Sequence, residues 1–532
     1  MQSSVMTKKT VEEWLRSVDY TSLNAGNYVP SVFSINYVNF IKLVNGGEGE
    51  SHKTPVVHLK MLDGLAGKKT RLANLCSRGL AKTTLFAEYL ILYIALYGEI
   101  EGFGKIDGMI YVSDSMENGV KSLRKNIEYR YNNSEFLQQY IPEAKFTDAY
   151  LEFTNVDGHK LGIRMFGAKT GLRGTKIFGK RPVLAILDDL VSDDDAKSKS
   201  VMQSIRDTVY KGVDYALDPT RRKIVFSGTP FNKNDILYEA VESGGWEVNV
   251  YPICEKFPCT REEFVGAWPD RFSYEFVKEQ YELAVSTGQV ASFNQELMLR
   301  ISSEEERMLM DSDIQWYKRK DLLANKGRFN FYITTDFATS ETNNSDFSVI
   351  SVWALNHNGD WFWVDGVCKR QLMDKNVDDL FRLVQEYAPQ SVGIEVTGQQ
   401  GGFVTWIRSE MMNRNIWFNL ASHGNGNKPG IRPNTNKMQR FNTVLPWFKA
   451  GKMYFPEEWK LEAIMLEAVD EMSLITLDGF KSRHDDFIDT ISMLSVLTTW
   501  KPSQESVAHM NDGGVWEMDK PDESSGIDSY LV

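Results

Sequence analysis

Cysteine is scarce in this sequence: Cys76, Cys254, Cys259 and Cys368 are the only four in 532 residues. Cys254 and Cys259 lie close together, but no second Cys/His pair follows at zinc-ligand spacing. Free thiols in a reducing compartment are therefore expected, and a disulfide framework is excluded. Long apolar runs are missing as well. Nothing approaches the ~18 consecutive apolar residues of a membrane span, and the opening MQSSVMTKKTVEEWLRS has no continuous apolar core, so neither a span nor a signal peptide is expected. Positive charge is also short, with 60 Lys and Arg against 72 Asp and Glu and a net charge of −12. That balance argues against a protein that coats nucleic acid. It leaves room for a local basic patch, and carboxylates gathered around metal would themselves drive the count negative.

What is present is a globular composition, 42% hydrophobic and 25% charged, in a chain too long for one ordinary core. Two or three domains of roughly 100–200 residues each are expected. From about residue 55 the pattern takes on a βαβ rhythm. The apolar stretch Pro55–Leu62 precedes a strand-like run at Arg71–Cys76, a Gly-containing turn and a long apolar helix at Thr83–Tyr97. Further strands are read at Gly108–Ser113, Gly162–Phe166, Val183–Leu187 and Lys223–Ser227, with a helix at Glu117–Tyr131. Strands alternating with helices imply a parallel sheet covered on both faces. A second pattern begins near Arg328: strands at Phe329–Thr335, Phe347–Leu355 and Asp360–Cys368, a helix at Asn376–Tyr387, a strand at Ser391–Val396 and a late helix at Phe487–Trp500. The charged segment Ser303–Lys326 reads as a linker, and the Ser/Asp/Glu/Gly/Pro-rich stretch after Trp500 as a flexible tail.

Between the first strand and its helix stands Cys76-Ser-Arg-Gly-Leu-Ala-Lys-Thr-Thr84. A phosphate cradle needs inward backbone N–H groups, a Lys for the β- and γ-phosphates and a hydroxyl for Mg²⁺, at a helix start where the dipole favours anions. Lys82 and Thr83 supply the last two, but Cys76 and Ala81 replace both glycines of the usual string. A capped helix after a turn would read the same way. Downstream, Arg181-Pro-Val-Leu-Ala-Ile-Leu-Asp-Asp189 is an apolar strand ending in two acids. Asp188 suits the Mg²⁺ water shell and Asp189 the orientation of an attacking water.

These residues resemble the large subunit of tailed-bacteriophage terminases. Ser77-Arg-Gly-Leu-Ala-Lys-Thr-Thr84 is similar to that family's deviant phosphate loop, Lys169-Thr-Gly-Leu-Arg-Gly174 and the double Asp to the segments that follow it, and Phe293-Asn-Gln-Glu-Leu-Met298 to the segment that closes the ATPase half. The resemblance implies that Ser77, Arg78, Gly79, Leu80, Ala81, Lys82, Thr83, Thr84 and Asp188 bind ATP with Mg²⁺. It also implies that Ser227, Gly228 and Thr229, in Ser227-Gly-Thr-Pro230, link hydrolysis to movement of DNA. Arg78 would act as an arginine finger in cis or leave that task to a neighbouring subunit. Two departures stand out: Ala81 where Gly is usual, which fits the loop unless φ is positive, and Asp189 where Glu is usual, a shorter base.

The second region carries spaced acids. Asp336 ends its first strand, Glu395 its fourth, and His484-Asp-Asp-Phe-Ile-Asp489 opens the late helix. The order β-β-β-α-β followed by an acid-bearing helix is that of the RNase H-like fold, which brings such acids together. Two Mg²⁺ or Mn²⁺ ions ~3.5–4 Å apart need bridging oxygens, and carboxylates are the hard donors for them. Asp336, Glu395 and Asp486 are the expected ligands, with Asp485 competing for the third place and Asp489 one turn further on. Asp485 and Asp486 at a helix start could instead serve only the dipole, worth ~0.3–1 kcal/mol. Asp346 is either a supporting acid or the start of a strand. Here too the family resemblance contributes: Asn436-Lys-Met-Gln-Arg440 and Gly451-Lys-Met-Tyr-Phe-Pro456 are similar to its nuclease half, with Lys437 and Arg440 contacting the DNA backbone. The stretch Gly424–Asn436 reads as a mobile loop at the groove.

The expected architecture is an α/β, P-loop NTPase-type ATPase domain at 1–305, a linker at 306–326, an RNase H-like nuclease domain at 327–500 and an acidic tail at 501–532. The resemblance implies ATP-driven packaging of double-stranded DNA into a procapsid and metal-dependent cleavage of concatemers, in the cytoplasm of an infected bacterium. Its partners would be a small terminase subunit, the portal protein on which the tail could dock, and further copies in a ring. A cellular repair translocase-nuclease would use the same two sites, and a scaffold with a degenerate nucleotide site would keep only their outline.

Overall fold

The computed structural model describes residues 8–20, 28–46, 51–196, 198–231, 234–301, 307–337, 348–396, 401–426, 428–433, 435–477, 479, 480, 482 and 485–503. Asp346, His484, the first residues of the expected linker (303–306) and most of the expected tail lie outside them. The chain divides into two compact units, Met1–Ala284 with Ala291–Ser303, and Val285–Val290 with Glu304–Val532.

The first unit is built on eight strands: β1 Arg71–Cys76, β2 Gly108–Ser113, β3 Glu143–Phe146, β4 Tyr150–Thr154, β5 Lys160–Gly167, β6 Leu184–Asp188, β7 Lys223–Gly228 and β8 Glu247–Tyr251. They lie in the order β8-β1-β7-β6-β2-β5-β4-β3. The run from β8 to β5 is parallel, and β4 and β3 add an antiparallel edge. The apolar strands β1, β2, β6 and β7 are buried almost throughout, as central strands of a sheet covered on both faces must be. Ala73, Ile110, Leu187 and Phe226 from four different strands share one core cluster. This is a parallel-rich α/β sheet of the P-loop NTPase type. The strand that leads into the Lys82 loop and the strand that ends in Asp188 are not neighbours. β7 lies between them, with Ser227 opposite Asn74 of β1 on one side and Asp188 of β6 on the other.

The apolar stretch near residue 55 forms the helix Val56–Ala66, because Pro55 takes the extended N-cap position and starts it. Strands β3, β4 and β8 were not among the expected elements. β3 and the first residues of β8 are only partly buried, so they carry no continuous apolar run.

The second unit has a six-stranded sheet from β9 Gln315–Tyr317, β10 Asn330–Asp336, β11 Ser348–Leu355, β12 Trp361–Lys369, β13 Ser391–Ile394 and β14 Met453–Pro456. Its order is β9-β14-β12-β11-β10-β13. β10, β11 and β12 form an antiparallel meander, and β13 joins β10 in parallel after the helix Met373–Tyr387. That is the RNase H-like arrangement. Ile333, Ile350, Val364, Leu380 and Ile394 fill its core. Part of the expected linker is built into this unit. β9 pairs with β14, and the Arg319 guanidinium donates to the Val364 carbonyl at 2.6 Å and Asp365 at 3.2 Å. The late helix covers only Asp486–Met493. It stops short of Trp500, whose backbone N–H donates to the Tyr332 hydroxyl and whose carbonyl accepts from Asn330 Nδ2, each at 2.7 Å, drawing the chain back along β10. None of the four cysteines is in a disulfide. Among the described residues no helix is long and apolar enough to cross a membrane.

Candidate functional sites

Strand β1 ends at Cys76, and residues 77–83 turn the chain into the helix that has a widened turn at Thr84–Glu88 and continues as Tyr89–Tyr97. The turn is anchored at its base: the Ser77 N–H donates to the Tyr251 carbonyl at 3.0 Å and the Arg78 N–H to the Glu296 carbonyl at 2.9 Å. Gly79 stands at φ +86°, and a Cβ there would come within 2.9 Å of the Phe272 ring. Ala81 stands at φ +54°. The positive φ that the sequence reading set as the condition for trouble is thus present, and an alanine holds a backbone conformation that glycine adopts freely. The buried Ser77 hydroxyl has no hydrogen-bond partner among the described residues.

The loop brings its chemical groups to the ends of β6 and β7. Lys82, almost wholly buried, places Nζ 3.0 Å from Thr229 Oγ1 and 3.4 Å from Asp189 Oδ2. The Thr83 hydroxyl donates to Asp188 Oδ1 at 3.1 Å, and the Tyr111 hydroxyl to Asp188 Oδ2 at the same distance. Burial first, and then the charge of Asp189, push the Asp188 carboxyl up to about 7, against the pull of Lys82, Thr83 and Tyr111. Asp189 adopts φ +42°. Its N–H donates to the Ser227 carbonyl at 3.0 Å and its Oδ1 accepts from the Thr229 N–H at 3.2 Å. Thr229 also donates to the Cys76 carbonyl at 2.8 Å. Residues 227–229 therefore touch both the loop strand and the acid strand.

These groups line a cleft of about 740 Å³ together with Arg78, Asp114, Asn118 and Glu296. The Arg78 side chain is 77% exposed and 3.6 Å from Glu296. Asp114 and Asn118 did not figure in the sequence reading; Asp114's place at the C-terminal end of β2 was the available signal. Thr84 faces elsewhere, into a separate pocket of about 330 Å³ shared with Ala81, His58 and Trp268. There His58 Nε2 is 2.8 Å from the Leu80 carbonyl, the ring stands edge-on to Trp268, and burial pushes the imidazole down to about 4. Lys82, Thr83 and Asp188 have the charge and hydroxyl chemistry that a nucleotide with Mg²⁺ needs.

In the second unit Asp336 ends β10, Glu395 follows β13, and Asp485 is the N-cap of the helix on which Asp486 and Asp489 lie. Burial, then Asp489, Asp486 and Glu395, hold the Asp336 carboxyl well above the usual range. Glu395 and Asp489 are raised too, chiefly by burial. All four thus belong to one electrostatic cluster, and Asp489 is the strongest charged neighbour of Asp336. The sequence reading placed Asp489 one turn beyond the expected ligands. It also missed Glu471, buried in the Ala463–Ser473 helix with its Oε2 accepting from the Ile488 N–H at 3.1 Å, and with its carboxyl raised well above the usual range by burial and then Asp486.

Lys437 and Arg440 do not stand clear of these acids as free phosphate contacts. Lys437 Nζ is 2.7 Å from both Asp485 Oδ1 and Asp489 Oδ2. Arg440 reaches Glu395 Oε2 at 3.2 Å and Asp489 Oδ1 at 3.1 Å. Burial works against the charge of Lys437, but Asp489 and Asp485 outweigh it and hold the ammonium above its ordinary value. Among the described residues no three His, Cys, Asp or Glu side chains are arranged as a ready metal cage. The donor set nonetheless suits a hard divalent cation. Crowded carboxylates that raise one another's proton affinity are what such an ion relieves.

No family model matches the sequence, and neither does any curated protein. Solved structures that match most of the chain are large terminases. One is from a thermophilic bacteriophage, at 12% identity, covering 82% of this chain and 97% of that one with a TM-score of 0.30. Another is from bacteriophage HK97, at 12% identity, covering 87% and 98% with a TM-score of 0.35. The large terminase nuclease of thermophilic phage G20c with bound magnesium is matched at 16% identity over 31% of this chain and 80% of that one, with a TM-score of 0.23.

Proposed function

We propose that this chain is the large subunit of a tailed-phage terminase, an ATPase that drives duplex DNA into a procapsid joined to a metal-dependent nuclease that cuts concatemeric DNA. One observation carries the reading. A single chain holds a strand–loop–helix with Lys82 and Thr83 facing Asp188 and Asp189, and separately an RNase H-like sheet that gathers Asp336, Glu395, Asp486 and Asp489. Neither site alone favours a packaging motor over many other enzymes; the pairing in this order supports that reading. The terminase-like motifs quoted from the sequence add the loop variant and the Ser227-Gly-Thr-Pro230 strand end.

In this reading Lys82 balances the charge of the β- and γ-phosphates, and Thr83 with Asp188 holds the Mg²⁺ that accompanies ATP. Asp189 orients the water that attacks the γ-phosphate. Lys82 is shared between Asp189 and Thr229, so a bound triphosphate competes with both for its ammonium. Thr229 then reports that change to the strand end it belongs to. At the second site Asp336, Glu395, Asp486 and Asp489 would hold Mg²⁺ or Mn²⁺, which supplies activated water and charge stabilisation for phosphodiester cleavage. Its working partners would be duplex DNA, a small terminase subunit, a portal ring and further copies of itself, in the cytoplasm of an infected bacterium.

The test is a paired assay on the purified chain. ATP hydrolysis and Mn²⁺-dependent plasmid cleavage are followed in wild type, Lys82→Ala and Asp336→Asn. Loss of hydrolysis alone in the first variant and of cleavage alone in the second is the expected result. A wild-type chain that does neither, with DNA and portal present, would sink the proposal.

A further inference from the structure

The first turn of the helix Lys437–Lys449 carries two cations, Lys437 and Arg440, one turn apart on one face. That is the wrong end for positive charge, because the helix dipole favours anions there. The acids opposite explain the placement. Asp489 is buried and gives one carboxylate oxygen to each cation, Oδ2 to Lys437 at 2.7 Å and Oδ1 to Arg440 at 3.1 Å. Glu395 Oε2 and Asp485 Oδ1 are taken in the same way. An oxygen engaged by an ammonium or guanidinium cannot at the same time face a divalent ion with that lone pair. Metal and these two side chains therefore contend for the same donors.

We propose that Lys437 and Arg440 are resident counter-cations of this carboxylate cluster, that divalent metal displaces Lys437 from Asp485 and Asp489, and that the displaced Lys437 then takes a nucleic-acid phosphate. The inference rests on the metal-dependent nuclease reading and adds a residue role to it. Of the two cations, Lys437 is the one able to leave. Its side chain is 43% exposed, whereas that of Arg440 is 11% exposed, with a buried Nε that finds no partner among the described residues. Against these two cations the cluster sets the carboxylates of Asp336, Glu395, Asp485, Asp486 and Asp489, so it stays acidic enough to draw in further positive charge. By linkage, whatever factor metal adds to the affinity for DNA, DNA adds to the affinity for metal.

Mn²⁺ binding is measured by titration calorimetry on the full chain as wild type, Lys437→Gln, Lys437→Arg and Asp336→Asn. Duplex binding is measured by fluorescence anisotropy in EDTA and in Ca²⁺, an ion with the same preference for oxygen donors. Lys437→Gln, freed of the competitor, should bind Mn²⁺ roughly three- to tenfold tighter than wild type, while Lys437→Arg stays near wild type. Ca²⁺ should tighten duplex binding by the wild type and do so less for Lys437→Gln. If Lys437→Gln binds Mn²⁺ no tighter, or if Ca²⁺ leaves wild-type duplex affinity unchanged, the exchange is overturned. If in that case wild type still binds Mn²⁺ and Asp336→Asn does not, the nuclease reading survives it. Absence of Mn²⁺ binding in every form overturns both.

Discussion

Lys82 Nζ lies 3.4 Å from the carboxylate of Asp189, so the cation that would neutralise a triphosphate is held by the acid that would direct water at it. Each group keeps the other in place until a nucleotide arrives. Lys82→Ala should lower ATP hydrolysis by at least about 100-fold, the usual cost of removing a positioned charge from a phosphoryl-transfer site. Nuclease activity should be unchanged. Steady-state release of phosphate measures the first and plasmid nicking the second.

Ala81 at φ +54° carries strain that glycine would not, of order 1–2 kcal/mol. Ala81→Gly relieves that strain but loosens the unfolded chain by ~0.4–1 kcal/mol, leaving a neutral to slightly stabilised protein. Ala81→Val, branched at Cβ, should destabilise instead. The urea midpoint of Ala81→Val should fall below those of wild type and Ala81→Gly, or the backbone reading of the loop is wrong.

The buried His58, held neutral with its imidazole pushed down to about 4, ties stability to pH. In the unfolded chain it takes a proton near pH 6.5, so the unfolded state binds more protons between about 6.5 and 4. Its contribution is complete above 6.5 and drains away as the pH falls through that window. Replacing it with an uncharged isostere, His58→Gln, should flatten the wild-type loss by roughly 3 kcal/mol at most. Chemical unfolding at pH 7 and pH 4.5 in both proteins provides the check.

Asp336 has its carboxyl driven well above the ordinary range by burial and by Asp489, Asp486 and Glu395. Its charge therefore costs the metal-free fold stability at neutral pH. Asp336→Asn should melt higher than wild type in EDTA while losing Mn²⁺-dependent cleavage. A variant that melts lower in EDTA would mean the acids are not crowded as described.

The strands that carry the first site were legible because β1, β2, β6 and β7 are buried on both faces and read as unbroken apolar runs. The acids at strand ends were legible for the same reason, since Asp188 and Asp336 each terminate such a run. What escaped was pairing across distance. The sequence marked Lys437 and Arg440 as cations but could not reveal that they face Asp485, Asp489 and Glu395, because those partners lie 45 or more residues away in the chain. Edge strand β8 escaped because Glu247 and Asn249 interrupt its apolar pattern. The choice of a third acid rested on Asp485 and Asp486 alone because three aspartates within five positions leave the matter to helix phase. The Asp486–Met493 helix buries Asp489 and makes it the leading charged neighbour of Asp336.

Strand β7 is hydrogen-bonded along its length to β1 on one side and β6 on the other, and Asn74 Nδ2 donates to Ser227 Oγ at 3.0 Å across the first of these seams. A rod clamped along both flanks cannot slide or bow without breaking two ladders at once. Thr229 is itself tied to Asp189, Cys76 and Lys82, so the ladders and these ties end at Pro230, and Phe231 beyond it donates its N–H to Asp235 at 3.3 Å. A pull exerted on Lys82 or Asp189 would leave the sheet undistorted and be spent as displacement of that short tongue of chain.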